Sequence, residues 1–303
     1  MRELVAHSCR SFACGSPRHK PRGRFASATR DFMACGNRCN VETGRCFVVL
    51  PGGGPANRET DPMTERFLVL QHVDVEHPGI FRDFMHTDGI VWDTVELDVG
   101  ERLPAPEDYD ALIVMGGPMD TWEDDLHPWL KEEKSLIRHA VSTLGKPYLG
   151  VCLGHQLLAA ALDGQVGKAQ QAEVGVMPVT LTTLGLAHPF FAGVAPAFDC
   201  LQWHGAEVQQ APIGAAVLAY SPACAVQSLA VGRRAFSFQF HVEVLPNTVD
   251  EWVAIAAYRD SLTRVLGADG ASGFRTRAAE SMSSFNALAR RLYDNWRRVA
   301  FKI

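Results

Sequence analysis

Gly150-Val151-Cys152-Leu153-Gly154-His155-Gln156 is the stretch that decides how this chain folds. Just upstream, Pro147-Tyr148-Leu149-Gly150-Val151 is an apolar run with the length of a short buried strand. Just downstream, Leu153 to Leu162 is apolar on nearly every face, the pattern of a helix sunk in a large core. Cys152 therefore falls at a strand-to-helix junction, with a glycine two residues before it and another two residues after. This spacing predicts a cysteine nucleophile elbow, a strained turn that glycines permit by removing side-chain crowding. The same position is a helix N-terminus, where the macrodipole and unpaired N–H groups favour negative charge.

Working outward, the pattern upstream of the junction is β/α alternation. Arg66–Val73 reads as a strand, residues 80–86 as a short helix entered through Pro78-Gly79, and Val91–Leu97 as an alternating strand. Ala111–Met115 is a fully apolar strand ending in Gly116-Gly117-Pro118. Residues 128–144 form an amphipathic helix stopped by Gly145. Beyond Gly175 the runs shorten to 176–181, 201–203, 225–231 and 235–240, with Gly232-Arg233 suggesting a hairpin. Residues 249–266 and 278–299 read as closing helices. The fold class expected is α/β: a flavodoxin-like, open, mostly parallel sheet with helices on both faces.

A second cluster comes late in the chain. His241 follows the alternating run Phe236-Ser237-Phe238-Gln239-Phe240, and Glu243 stands two residues on. Residues two apart share a face in an extended segment, so Glu243 can hold one imidazole nitrogen while the other faces Cys152. Cys152, His241 and Glu243 then form a nucleophile, base and orienter. Cleavage of an amide passes through a tetrahedral oxyanion that needs two aimed N–H donors. One expected donor is the amide of Leu153. The other is expected from the turn Gly116-Gly117-Pro118, where a sheet strand ends. Such a glycine turn could also flip and act as a gate. Cys200 and Cys224 have no comparable frame and read as structural.

The G-V-C-L-G-H-Q segment, the His-x-Glu pair and the upstream Gly-Gly-Pro together resemble class I glutamine amidotransferases, in particular stand-alone members similar to the glutaminase domain of GMP synthase. The resemblance spans about Glu65 to about Val244. It implies cleavage of a γ-glutamyl amide through a cysteine thioester, with Gly117 and Leu153 as the oxyanion hole. It further implies Gln156, Gly116, His204 and Gly205 beside the substrate, glutamine or another γ-glutamyl compound. The chain departs from the family in two places. Val242 stands where proline is usual, and Trp203-His204-Gly205-Ala206-Glu207 carries Glu207 where His-Gly-Asp is common, which would reshape the site for the substrate's amino group. A γ-glutamyl peptidase or hydrolase acting on conjugates, and a non-catalytic regulatory protein on the same scaffold, are the alternatives. No Ser-Gly-Gly-x-Asp-Ser loop is present, so ammonia is expected either to pass to a separate synthase or acceptor subunit or to be released.

Composition sets the frame. The 303 residues are 47% hydrophobic and 21% charged, enough for one sizeable core. A net charge of -5 gives no electrostatic case for nucleic acid or an anionic membrane. Residues 1–62 carry ten Lys/Arg against five Asp/Glu, whereas the remainder carries 19 against 29. Five of the eight cysteines (Cys9, Cys14, Cys35, Cys39, Cys46) also lie in that first segment. The segment reads as a disordered or mis-started extension, with a targeting peptide or a zinc knot from Cys35, Cys39 and Cys46 as rival readings. The organisation expected is 1–62 as that extension, 63–250 as an amidotransferase domain and 251–303 as a helical extension packing on it. No cofactor and no catalytic metal are expected, and a thiol nucleophile suits the cytoplasm.

Overall fold

Four short runs, Arg66–Gln71, Ala111–Val114, Tyr148–Val151 and Ala235–Phe238, are buried almost throughout and lie side by side in the computed structural model, which describes residues 64–267 and 269–302. The rival readings of residues 1–62 lie outside the described residues. In chain order the elements are β1 (Arg66–Gln71), α1 (Phe81–Thr87), β2 (Val91–Glu96), β3 (Ala111–Val114), α2 (Trp129–Arg138), β4 (Tyr148–Val151), α3 (Leu153–Ala161), β5 (Gln165–Leu181) and α4 (Thr183–Ala187). They continue with β6 (Ala197–Gln210), β7 (Ala216–Tyr220), β8 (Ser228–Val231), β9 (Ala235–Phe238), α5 (Thr248–Ala254), α6 (Ala256–Leu266) and α7 (Gly270–Phe301).

The strands form one nine-stranded sheet in the order β2-β1-β3-β4-β9-β8-β7-β5-β6. From β2 to β9 every neighbour is parallel. From β9 to β6 every neighbour is antiparallel. The sheet is mixed, which corrects the expectation of a mostly parallel one. The physical reason is connection length: parallel neighbours need a long crossover, and β8 and β9 are joined only by residues 232–234.

Alternation along the central strands feeds two cores. Phe67, Val69, Ala111 and Ile113 pack with Phe81 and Met85 of α1 and with Leu292, Tyr293 and Trp296 of α7. Leu68, Leu70, Leu112 and Val114 pack with Leu130 and Ile137 of α2 and with Leu153, Leu157 and Leu158 of α3. Helices thus supply both cores, as strands buried on two faces require. The single helix expected over 249–266 is two, because Ile255 takes an extended conformation (φ -79°, ψ 129°) between α5 and α6. The amphipathic helix begun at Trp129 ends in a π-helical turn, His139–Thr143, before Gly145. No helix among the described residues is long and apolar enough to cross a membrane.

Candidate active site

Cys152 occupies the junction between β4 and α3 with φ 51° and ψ -103°, a strained conformation for a residue with a side chain. Its amide donates to the Phe238 carbonyl at 2.9 Å, and its carbonyl accepts from His155 N at 3.0 Å. Both flanking glycines are sterically required. A Cβ on Gly154 would collide with the Val114 carbonyl, and one on Gly150 would meet the Gly154 carbonyl at 2.7 Å. Leu153 is the first residue of α3, so its amide has no partner inside the helix.

His241 lies one short step past β9, tied to β6 by a two-way backbone bridge with Leu201 at 2.8 and 3.2 Å. Its Nδ1 is 2.7 Å from Glu243 Oε1, and both side chains are buried. Its Nε2 is buried without a fully formed hydrogen bond. Burial alone would depress the imidazole, but the Glu243 carboxylate and then the Cys152 sulfur raise its pKa well above the ordinary value. The departure at Val242 has a structural consequence of its own. The N–H that proline would lack donates to Glu243 Oε2 at 3.0 Å, so the carboxylate is held at both oxygens.

A cavity of about 290 Å³ opens over Cys152 and is lined by Gly117, Leu153, Gln156, His204 and Gly205. Gly116 adjoins it and packs against Glu76. Both amide protons of Gln156 are engaged, one with the Ala206 carbonyl at 3.1 Å and one with Gln239 Oε1 at 3.0 Å. Only its Oε1 is left to accept from a ligand. His204 contacts Glu173 Oε2 at 3.1 Å and the Ala206 carbonyl at 2.9 Å. Glu207 does not face this cavity; it lines a separate hollow with Gln170 and Tyr220. The expectation that it reshapes the amino-group site is therefore corrected, the next residue along a pleated strand pointing away. At the Gly116-Gly117 turn, the Gly116 carbonyl accepts from His72 Nδ1 at 2.8 Å.

Several residues at the site were not anticipated from the sequence. Gln239 donates to Cys152 Sγ at 3.5 Å. It stands two residues before His241, so period-two reasoning could have found it. Tyr258 and Ser261 of α6 line the cavity, and the Tyr258 hydroxyl is hydrogen-bonded to buried Glu76. Burial raises the Glu76 pKa, with nearby His241 opposing. Among the described residues, the other two cysteines, Cys200 and Cys224, are thiols held neutral by burial, Cys224 being pushed up to about 12. Glu173, His204 and Cys224 come within 4.8 Å of one another as possible metal ligands. Their bonding is already met, however, with Ser221 and Gln227 closing the network around Glu173.

The model of the family "Glutamine amidotransferase class-I" matches residues 86–255, more than half of the chain. The chain belongs to the class I glutamine amidotransferases. The amidotransferase is 32% identical over 183 residues to the glutamine amidotransferase-like protein YfeJ of Salmonella typhimurium, covering 59% of this chain and 76% of that one. It is also 32% identical over 163 residues to a glutamine-hydrolyzing GMP synthase subunit of Sulfurisphaera tokodaii, covering 51% of this chain and 82% of that one. Among solved structures, a glutamine amidotransferase from Thermotoga maritima superposes with a TM-score of 0.68 at 28% identity, covering 77% of this chain and 97% of that one. The mixed sheet and its helices are thus the architecture of this family of hydrolase-type enzymes.

Proposed function

We propose that the amidotransferase cleaves a γ-glutamyl amide through a thioester on Cys152. In this reading the turn at Cys152 is a nucleophile elbow. The sulfur adds to the side-chain carbonyl carbon, and the oxygen takes the negative charge facing the amides of Gly117 and Leu153. The oxyanion collapses, the C–N bond breaks, and the imidazolium of His241 gives its proton to the departing nitrogen. Neutral His241 then takes a proton from water, whose oxygen attacks the thioester carbonyl and releases glutamate and the free thiolate. Glu243 holds the ring for both transfers.

The observation that carries this reading is the buried His241–Glu243 pair, with Nε2 left without a formed hydrogen bond beside Cys152 at the floor of a cavity. Gln156 Oε1 supplies an acceptor for the substrate's ammonium, with Gly116, His204 and Gly205 shaping the glutamyl pocket. The Sulfurisphaera relative is one subunit of a GMP synthase, and by analogy the ammonia formed here passes to a separate acceptor protein. The cavity runs on past Tyr258 and Ser261 to Arg264 and Val265. That extension favours γ-glutamyl conjugates as a second substrate class, acted on as a γ-glutamyl hydrolase would. A thiolate nucleophile suits a reducing compartment, which supports the cytoplasm as the enzyme's location.

The test is a panel of glutamine and γ-glutamyl dipeptides offered to the purified protein, with acid quenching in the first turnover. A γ-glutamyl group on the peptide containing Cys152 is the expected adduct. Turnover without that adduct, persisting in Cys152→Ala, refutes the mechanism.

A further inference from the structure

His72 stands just past the end of β1, outside the lining of the cavity, and it is completely buried. Its Nδ1 is 2.8 Å from the Gly116 carbonyl and its Nε2 is 3.0 Å from Glu133 Oε1 on α2. The Gly116 carbonyl can only accept, so Nδ1 carries a proton and donates to it, while Nε2 pairs with the buried Glu133 carboxyl. Burial disfavours a charged ring, yet Glu133 and the Gly116 carbonyl raise the His72 pKa above its ordinary value. Trp129 stacks on the ring at 5.6 Å, and the Gly117 Cα packs so closely on the His72 Cβ that no side chain fits there. Nothing in the proposed mechanism uses this histidine.

We infer that His72, backed by Glu133, is a positioning residue that locks the Gly116-Gly117 peptide so that the Gly117 N–H stays aimed at the oxyanion. The peptide unit is planar and trans, so fixing its carbonyl on the His72 side points its N–H the opposite way. Gly117 lines the cavity together with Cys152 and Leu153. Two adjacent glycines otherwise allow that peptide to turn over at little steric cost. Turning it over here strands the His72 Nδ1–H in a buried site, which is unfavourable. The His72–Gly116 bond thus makes a flexible turn into a fixed donor. The inference rests on the reading of Gly117 as an oxyanion donor.

Two substitutions, each keeping one of the two His72 hydrogen bonds, separate positioning from packing. In His72→Asn the amide nitrogen lies where Nδ1 was, keeping the bond to Gly116 and losing the one to Glu133. In His72→Gln the longer side chain reaches Glu133 and misses Gly116. The expected result is kcat within about threefold of wild type for Asn, and a fall of about 10- to 100-fold for Gln, a fraction of what loss of a whole donor costs. KM and the rate of Cys152 alkylation by iodoacetamide should stay nearly constant in both, since neither needs the oxyanion donor. Thermal stability should run the other way, with Gln above Asn, because Asn strands the Glu133 carboxylate. If one variant fails to fold, Glu133→Gln, which keeps the Gly116 bond, must retain kcat within about threefold. Wild-type kcat in His72→Gln, or kcat following melting temperature, overturns the inference. Loss of the Cys152 adduct in the wild-type protein overturns instead the reading on which it rests.

Discussion

The backbone N–H of Val242 and the side chain of Glu243 are joined at 3.0 Å, so a residue that departs from the family pattern also restrains the carboxylate of the proposed triad. Val242 is fully buried in the core that α1 and α7 share. Its side chain and its N–H therefore have separate duties. Val242→Pro removes the N–H and is expected to lower kcat/KM by up to about tenfold, one charge-assisted hydrogen bond of ~1.5 kcal/mol being at stake. Val242→Ala keeps the N–H and should lose stability while holding near-normal turnover. Equal activity in the two variants would show that Glu243 does not need this bond.

In the proposed mechanism nucleophile and base act as a unit, whereas the orienter is partly replaceable. Cys152→Ala and His241→Ala are each expected to lower turnover by at least ~10³-fold, with Glu243→Ala retaining roughly tenfold more. Glu243→Gln adds a pH signature. Glu243 is the leading contributor that raises the His241 pKa against its burial. Removing its charge lowers that pKa, so the imidazolium is lost earlier as pH rises. The alkaline limb of kcat/KM should move to lower pH, and a shift in the other direction would contradict the assignment.

Glu76 offers a test of stability against pH. Burial raises its pKa in the folded protein above that of the unfolded chain. The folded state then holds the proton to higher pH, so its contribution is complete below the ordinary carboxylate range and disappears as pH rises through the folded pKa. Glu76→Gln has no such loss. The melting temperature of the variant relative to wild type should climb as pH rises above the usual carboxylate pKa. Parallel curves would mean that Glu76 stays ionised throughout.

The last helix contributes to the main core. Trp296 of α7 is fully buried, with its ring 5.6 Å from Phe67 of β1. Trp296→Ala is expected to cost about 3–5 kcal/mol in urea unfolding, the range for deleting a large aromatic from a core. A cost under about 1 kcal/mol, within the range of ordinary surface substitutions, would show that α7 is an accessory.

What was legible in the sequence is what neighbouring residues encode. The β4–α3 junction was readable because an apolar run, two glycines and a second apolar run fall within sixteen residues. The His241–Glu243 pair was readable because an alternating strand puts residues two apart on one face. The hairpin at Gly232 was also visible, and Gly232 takes the positive φ (58°) that such a turn favours. Harder to see were the long strands β5 and β6. The first half of β5, Gln165–Ala172, has no buried residue, so its extended form depends on pairing with β6 rather than on its own pattern.

By itself the sequence determined the strand-turn-helix at Cys152, the alternation around it and the kinds of group able to do the chemistry, because these depend on spacing along the chain. Only the tertiary structure decided how many strands run parallel and which distant side chains meet. His72 meets Gly116 across 44 positions, Gln239 meets Cys152 across 87, and Tyr258 meets Glu76 across 182. Such contacts are set by how buried faces pack together. No local periodicity records which residue will stand opposite another once the layers close.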